Sequence, residues 1–229
     1  MIRSDDFSRQ TAACPGGQAR EAVTTPLFPT LEFEQALWNG GFGHIAGIDE
    51  AGRGAWVGPV AAAVVILPRL EPSLARTLRG VRDSKQMTPL AREAWAPLIK
   101  EIALAWGVGF ASAEEIDMLG IVPATKLAAR RAMESLSQSP DYLITDYLIF
   151  PEITLPQTAL VKGDRRSLSV AAASVLAKTA RDARMRELDL VYPGYGFARH
   201  KGYGTPQHRA AITQSGLCAI HRKSFAIKP

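Results

Sequence analysis

Cysteine is almost absent: Cys14 and Cys218 are the only two in 229 residues, and no Cys-x-x-Cys pair occurs. That excludes a disulfide scaffold and a structural zinc site, and it suits a reducing cytosol. Long apolar runs are also missing. The longest, residues 57–67, contains Gly58 and Pro59 and falls far short of the ~20 residues a membrane span needs. Residues 1–10 carry mixed charges and no apolar centre, so no secretory signal is read there and a soluble, cytoplasmic protein is expected. Internal repeats are absent too. What the chain does have is enough apolar material, 47% of residues, to bury one core. It also has a basic surplus, 27 Lys and Arg against 22 Asp and Glu, for a net charge of +5 and a pI near 9.4. The last third is richest in basic residues. Such a surface suits a polyanion such as nucleic acid, although basic charge alone does not require one.

Residues 1–29 read as a disordered tail, because Cys14-Pro15-Gly16-Gly17 and Thr24-Thr25-Pro26 break any periodic pattern. A single domain is expected over residues 30–229. Thr30 is placed to cap a short helix bearing Leu31, Phe33, Leu37 and Trp38, which Gly40-Gly41 ends. Residues 44–50 and 57–67 are rich in small and β-branched side chains and read as neighbouring strands. Thr88-Pro89 starts a helix on which Leu90, Ala94, Leu98 and Ile102 recur at helical spacing. A strand is expected over residues 105–111, and Ser112 to Glu115 form a capping box for the next helix. Helix continues over residues 124–136, with buried strands at 142–145 and 159–161. A long alanine-rich helix spans 168–190, and Thr205-Pro206 opens a last short one before the basic run around His221. Strands first, then alternating helix and strand, point to an α/β domain with a central mixed sheet flanked by helices.

Asp49 and Glu50 end a hydrophobic strand, where like charges repel and burial raises both pKa values. A cation would relieve that cost, and carboxylate oxygens are the ligands Mg²⁺ and Mn²⁺ prefer. Successive strand side chains point to opposite faces, so the pair can share one site only where the pleat breaks, and Gly52 is read as that break. An exposed strand end with an acidic turn would show the same dipeptide. Gly52-Arg53-Gly54 reads either as a flexible turn or as a loop whose backbone approaches a ligand closely.

Gly47-x-Asp49-Glu50-Ala51-Gly52-Arg53-Gly54, continuing to Gly58-Pro59-Val60, resembles the opening signature of the ribonuclease HII family, the type 2 ribonucleases H. Further matches follow in the family's order. They are Asp83-Ser84-Lys85, the strand from Pro140 to Asp146, and Lys162-Gly163-Asp164 followed by Ala171-Ala172-Ala173-Ser174-x-x-Ala177-Lys178. His200-Lys201-Gly202-Tyr203-x-Thr205 and His221-Arg222-x-Ser224-Phe225 complete the set. The resemblance implies a ribonuclease H-like fold with a C-terminal helical segment. By position it assigns Asp49, Glu50, Asp146 and Asp164 as catalytic, metal-binding carboxylates for Mn²⁺ or Mg²⁺. The implied chemistry is two-metal hydrolysis of RNA in RNA–DNA hybrids, and cutting 5′ to single ribonucleotides in duplex DNA, leaving 3′-hydroxyl and 5′-phosphate ends. A sliding-clamp contact and a monomeric state are further expectations of the resemblance.

Asp141 precedes the apolar run instead of ending it, and Asp182 and Asp189 on the long helix read as exposed or paired with its arginines. Two departures stand out: Tyr147 follows the third carboxylate where family members commonly have glycine, and Ala55 stands where proline is frequent. The resemblance gives recognition of the 2′-hydroxyl to the backbone of Gly52, Arg53 and Gly54 together with Tyr203, whose ring would pack on a sugar at the RNA–DNA junction. Tyr203 could equally be a core tyrosine, but its glycine neighbours argue against deep burial. Lys85, Lys178, Lys201, Arg222 and Lys223 are candidate phosphate contacts. Ser84 and Ser174 are candidate hydrogen-bond donors to phosphate, or turn caps. For His200 and His221 a phosphate or structural role fits better than metal ligation.

Overall fold

A computed structural model describes residues 28–69 and 71–227. The expectation for the tail therefore falls, except at Phe28 and Pro29, outside the described residues, as does Cys14. Five strands form one sheet: β1 (Ile45–Ala51), β2 (Val60–Ile66), β3 (Ala105–Ala111), β4 (Tyr142–Asp146) and β5 (Gln157–Leu160). Their order is β3-β2-β1-β4-β5. β1–β2 and β2–β3 are antiparallel, whereas β4 runs parallel to β1 and β5 parallel to β4. This is the mixed sheet expected from strands followed by helix–strand alternation, in the arrangement of a ribonuclease H-like fold.

The helices are α1 (Glu32–Asn39), α2 (Leu74–Thr77), α3 (Pro89–Ile102), α4 (Ala113–Leu119), α5 (Ile121–Glu134), α6 (Leu168–Val191), α7 (Phe197–His200) and α8 (Pro206–Ser215). α6 covers one face of the sheet and α5 the other. β2 is buried at every position, because its alternation divides side chains between two cores and not between core and water. Ala63 and Val65 join Val170 and Ala173 of α6, while Val64 and Ile66 join Ala124 and Ala128 of α5. Gly47 sets how closely α6 lies on β1: a Cβ there would stand 2.2 Å from the carbonyl carbon of Ser169.

Several helix starts follow their sequence signals. Thr88 accepts from the Ala91 N–H with Pro89 in the first turn, and Ser112 and Glu115 close the expected capping box. The Thr30 hydroxyl accepts from the Glu32 N–H at 3.3 Å and so caps the first turn of α1 as expected, although the helix boundary falls at Leu31. Thr30 also bridges to Ser167, its N–H donating to the Arg166 carbonyl and its own carbonyl accepting from the Leu168 N–H. That pairing, with buried Glu34 accepting from both hydroxyls of Ser167 and Ser169, pins α1 to the start of α6. On α3 the buried side is Arg92, Ala96 and Ile99, while Leu90 and Leu98 face solvent. Arg92 turns that face inward by donating to the Ser84 and Met87 carbonyls and pairing with Asp182. The short helices α2 and α7 carried no periodic signal long enough to read.

Candidate active site

β1 and β4 bring two acids together by register alone. Their last paired residues are Ile48 and Thr145, so the next residue on each parallel strand is Asp49 or Asp146. Asp164 arrives on the 3-10 turn Gly163–Arg165 that follows β5, and the Gly163 N–H donates to Asp146 Oδ1 at 2.8 Å. Glu50 follows Asp49 before the pleat is broken, since β1 runs on through Ala51. The break at Gly52, with φ of 93°, thus lies later than the acid pair itself. Glu50 nonetheless lies close enough to Asp146 and Lys85 for both to shift its titration.

The electrostatics record the crowding. Burial pushes the Asp49 carboxyl well above the ordinary carboxylate range, and neighbouring Glu50 and Asp146 push it further, with the nearby Ser174 hydroxyl opposing. Glu50 is raised by burial and by Asp146, with Arg53 opposing from 3.3 Å. Asp164 is pushed up to about 6 by burial, then by Asp83 and Asp146. Lys85 sits among these charges: burial works against its ammonium, but Asp49, Asp83, Asp164 and Asp146 together raise its pKa. Asp83, the first residue of the Asp-Ser-Lys motif, has a structural part of its own. It is buried, caps the Lys85 N–H at 2.9 Å and pairs with Arg165 at 3.1 Å.

Among the described residues no group of three or more His, Cys, Asp and Glu side chains is closed around a metal position. The corner is a convergence of acids, not a ready-made cage. Its donor set still fits a hard divalent cation: four carboxylates, no thiol or imidazole among them, and charged forms made costly by burial and mutual repulsion. A positive ion held there would remove that cost. Asp141 sits apart at the other end of β1, accepting from the Gly43 and His44 N–H groups.

Beside the corner lies a cleft of about 350 Å³ lined by Glu50, Gly52, Arg53, Gly54, Ser84, Lys85, Lys178 and Tyr203. Most of the expected substrate residues therefore share one concavity with a catalytic candidate. Tyr203 is 37% exposed, in keeping with its glycine neighbours, with the guanidinium of Arg181 5.6 Å and the ammonium of Lys178 5.9 Å from its ring centre. Ser84 and Ser174 are buried and share a hydrogen bond of 2.9 Å, Ser174 donating, which ties the Asp-Ser-Lys turn to α6. Lys178 pairs with Asp182 at 2.5 Å, and Asp182 is buried between Lys178 and Arg92. The Lys201 ammonium donates to the Ala198 carbonyl, and Lys223 is exposed.

Arg222 is placed differently from the expectation of a phosphate contact. It is fully buried, with Nε donating to the Gly58 carbonyl at 3.0 Å and Nη1 to the Arg53 carbonyl at 2.9 Å. Burial depresses its pKa to about 9, with Arg181 adding to the effect. Its place is to hold the Gly-Arg-Gly loop from behind. Arg181, unremarked in the sequence, works alongside it: Nε donates to Pro59, Nη2 to Val57 and Nη1 to Lys201, all to carbonyl oxygens. Gly52 exists partly for this residue, since a Cβ there would stand 1.9 Å from Arg181 Nε. A glycine followed by an arginine buried on carbonyls leaves no local sequence signal. His200, His208 and His221 are likewise structural. The Tyr203 carbonyl fixes the proton of His208 on Nδ1, so His208 Nε2 accepts from His221 Nε2 at 3.3 Å. His208 was not singled out in the sequence, yet it ties the Tyr203 loop to the C-terminal segment.

Acids gathered at the ends of two parallel strands of a mixed, helix-flanked sheet, next to a cationic cleft, define a nuclease of the ribonuclease H fold. Residues 46–228 match the ribonuclease HII family. The chain belongs to that family, whose members are metal-dependent ribonuclease H endonucleases. It is 50% identical over 197 residues to a ribonuclease HII of Myxococcus xanthus, spanning 86% of this chain and 66% of that protein. With a ribonuclease HII of Thermus thermophilus it shares 51% identity over 193 residues, 84% of this chain and 91% of the relative. The fold resembles that of the ribonuclease HII of Archaeoglobus fulgidus, solved with PCNA, at a TM-score of 0.64 and 27% identity, over 78% of this chain and 92% of that one. Among the described residues no helix is long and apolar enough to cross a membrane.

Proposed function

We propose that this chain hydrolyses the RNA strand of RNA–DNA hybrids and cuts 5′ to single ribonucleotides embedded in duplex DNA. Asp49, Glu50, Asp146 and Asp164 hold the divalent ions, Mn²⁺ or Mg²⁺. Bound ions supply activation of the attacking water and stabilisation of the departing 3′ oxygen, giving 3′-hydroxyl and 5′-phosphate ends. The protein's own part is positioning. Backbone groups of Gly52, Arg53 and Gly54 approach the 2′-hydroxyl because no side chain but that of Arg53 stands between, and the exposed face of Tyr203 packs on the neighbouring deoxyribose. Lys85, beside the acids, offsets phosphate charge. The observation that carries the reading is the meeting of Asp49 and Asp146 one residue beyond the β1–β4 register, with Asp164 hydrogen-bonded into the same corner through Gly163. A sliding clamp as partner is supported by the archaeal neighbour alone.

The test is to incubate a DNA duplex bearing one ribonucleotide with the protein and Mn²⁺, and to map the cut. A single break on the 5′ side of the ribonucleotide, with 3′-hydroxyl and 5′-phosphate termini, is expected. Equal cutting of an all-DNA duplex would instead point to a structure-selective DNA nuclease.

A further inference from the structure

We propose that Tyr147, with Ile149 and Val161 close to it in the chain, is a substrate contact: an apolar rest for the sugar faces of the nucleic-acid duplex next to the cut phosphate. The inference rests on the nuclease reading above and concerns one edge of the same site. Tyr147 directly follows Asp146, so its Cα stands about 3.8 Å from that of a catalytic candidate. Its ring is 70% exposed, and no described ring or cation stacks on it.

The backbone makes this exposure costly. Tyr147 has φ of 65°, in the left-handed region that favours glycine. Its N–H donates to the Leu160 carbonyl at 3.0 Å and the Leu148 N–H donates to the Asp146 carbonyl at 2.8 Å, so the turn is firmly held. Beyond it the chain alternates: Leu148 and Phe150 enter the core on the α5 side, while Tyr147 and Ile149 point outward, Ile149 being 56% exposed. Val161, one residue past the carbonyl that receives the Tyr147 N–H, is 63% exposed. The fold thus gains nothing visible from the Tyr147 ring and accepts an unfavourable conformation to display it.

The occupant follows from the surroundings. Tyr147 adjoins Asp146 in the chain, and exposed Lys162 directly follows exposed Val161, two residues before Asp164. Apolar surface beside a cation suits a backbone that alternates bare sugar faces with phosphates, the ring meeting the former and the ammonium the latter.

The proposal separates stability from affinity. Tyr147→Gly is expected to weaken binding of a labelled RNA–DNA duplex about tenfold by fluorescence anisotropy, while its Tm is no lower than the parent's, because glycine relieves the left-handed turn. Tyr147→Phe should bind within about twofold of the parent. A Tyr147→Gly protein with a lowered Tm and unchanged affinity would make the ring a structural element and overturn the proposal. Unchanged affinity together with loss of self-association in sedimentation would make the patch an interface between protein chains, overturning it equally. A parent that cuts the hybrid while Tyr147→Gly binds as well as the parent sinks this inference alone. A parent that binds without cutting sinks the nuclease reading and still leaves the contact to be judged from affinity. Absence of both binding and cutting removes the two together.

Discussion

Asp49→Asn is expected to reduce Mn²⁺-dependent cutting of an RNA–DNA hybrid by about a thousandfold or more, while hybrid binding persists or tightens. Asparagine keeps the size of the side chain and an oxygen to accept the Glu50 N–H, which now donates to Asp49 Oδ1 at 2.8 Å. What it removes is one negative charge from a place where burial and two neighbouring carboxylates make that charge expensive. A thousandfold loss corresponds to about 4 kcal/mol of barrier, the scale of losing an ion's charge stabilisation. Stability should move the other way, because an uncharged amide escapes the repulsion from Glu50 and Asp146. Phosphate should also meet less repulsion at the site. Single-turnover cutting and duplex binding, measured on the same preparation with its melting temperature, check all three signs. Near-parental turnover would remove Asp49 from the chemistry.

The second large effect is expected away from the acids. Arg181→Met should destabilise the protein by about 3–5 kcal/mol: three carbonyls each lose a hydrogen bond from a charged group, at about 1.5–3 kcal/mol apiece, and removal of a buried charge with apolar refilling by methionine offsets part of the sum. For a chain of this size that lowers Tm by about 10 °C. Arg181→Lys should recover little of it, because one ammonium cannot replace a planar fork aimed at Val57, Pro59 and Lys201. Those carbonyls belong to the segments carrying Gly-Arg-Gly and Tyr203, so the KM for a duplex with an embedded ribonucleotide should rise in any Arg181→Lys protein that folds. Urea unfolding measures the first effect and steady-state kinetics the second. A loss below about 1 kcal/mol for Arg181→Met would show that the loops hold themselves.

How far the sequence could be read depended on the range of the forces involved. β3, the Ser112–Glu115 capping box and the Thr88-Pro89 start were legible because each is fixed by residues within a few positions. That residues around β2 form a strand was legible from their small and β-branched side chains, although its burial on both faces follows from the helices packed there and not from composition. The four acids could be named from their motifs, and parallel pairing of β1 with β4 explains why two motifs far apart in sequence end side by side. Contacts made by buried cations were not legible. Arg181, Arg222 and Arg92 look like ordinary surface residues in the sequence, and only the assembled loops offer them carbonyls and carboxylates. Thr30 shows both ranges: its hydroxyl caps α1 locally, as read, while its backbone bridge to Ser167, a residue far along the chain, was not legible. Tyr147 lies between these cases: its departure from the family pattern was visible, but its left-handed backbone was not.

In the proposed site, the acids at the ends of β1, β4 and the turn after β5 are tolerable neighbours at neutral pH only with a divalent cation among them. Raised carboxyl pKa values mean that, without metal, these groups favour the fold below about pH 4 and lose that contribution as pH rises toward 6, where the Asp164 carboxyl gives up its proton. Above that range a bound cation would take the proton's place. The deciding measurement is the Mn²⁺-induced change in Tm at pH 7. At a hundred times its dissociation constant Mn²⁺ should add about 2.7 kcal/mol of stability and raise Tm by about 5–10 °C. An unchanged Tm at pH 7, or the same rise in Asp146→Asn as in the parent, would contradict the account.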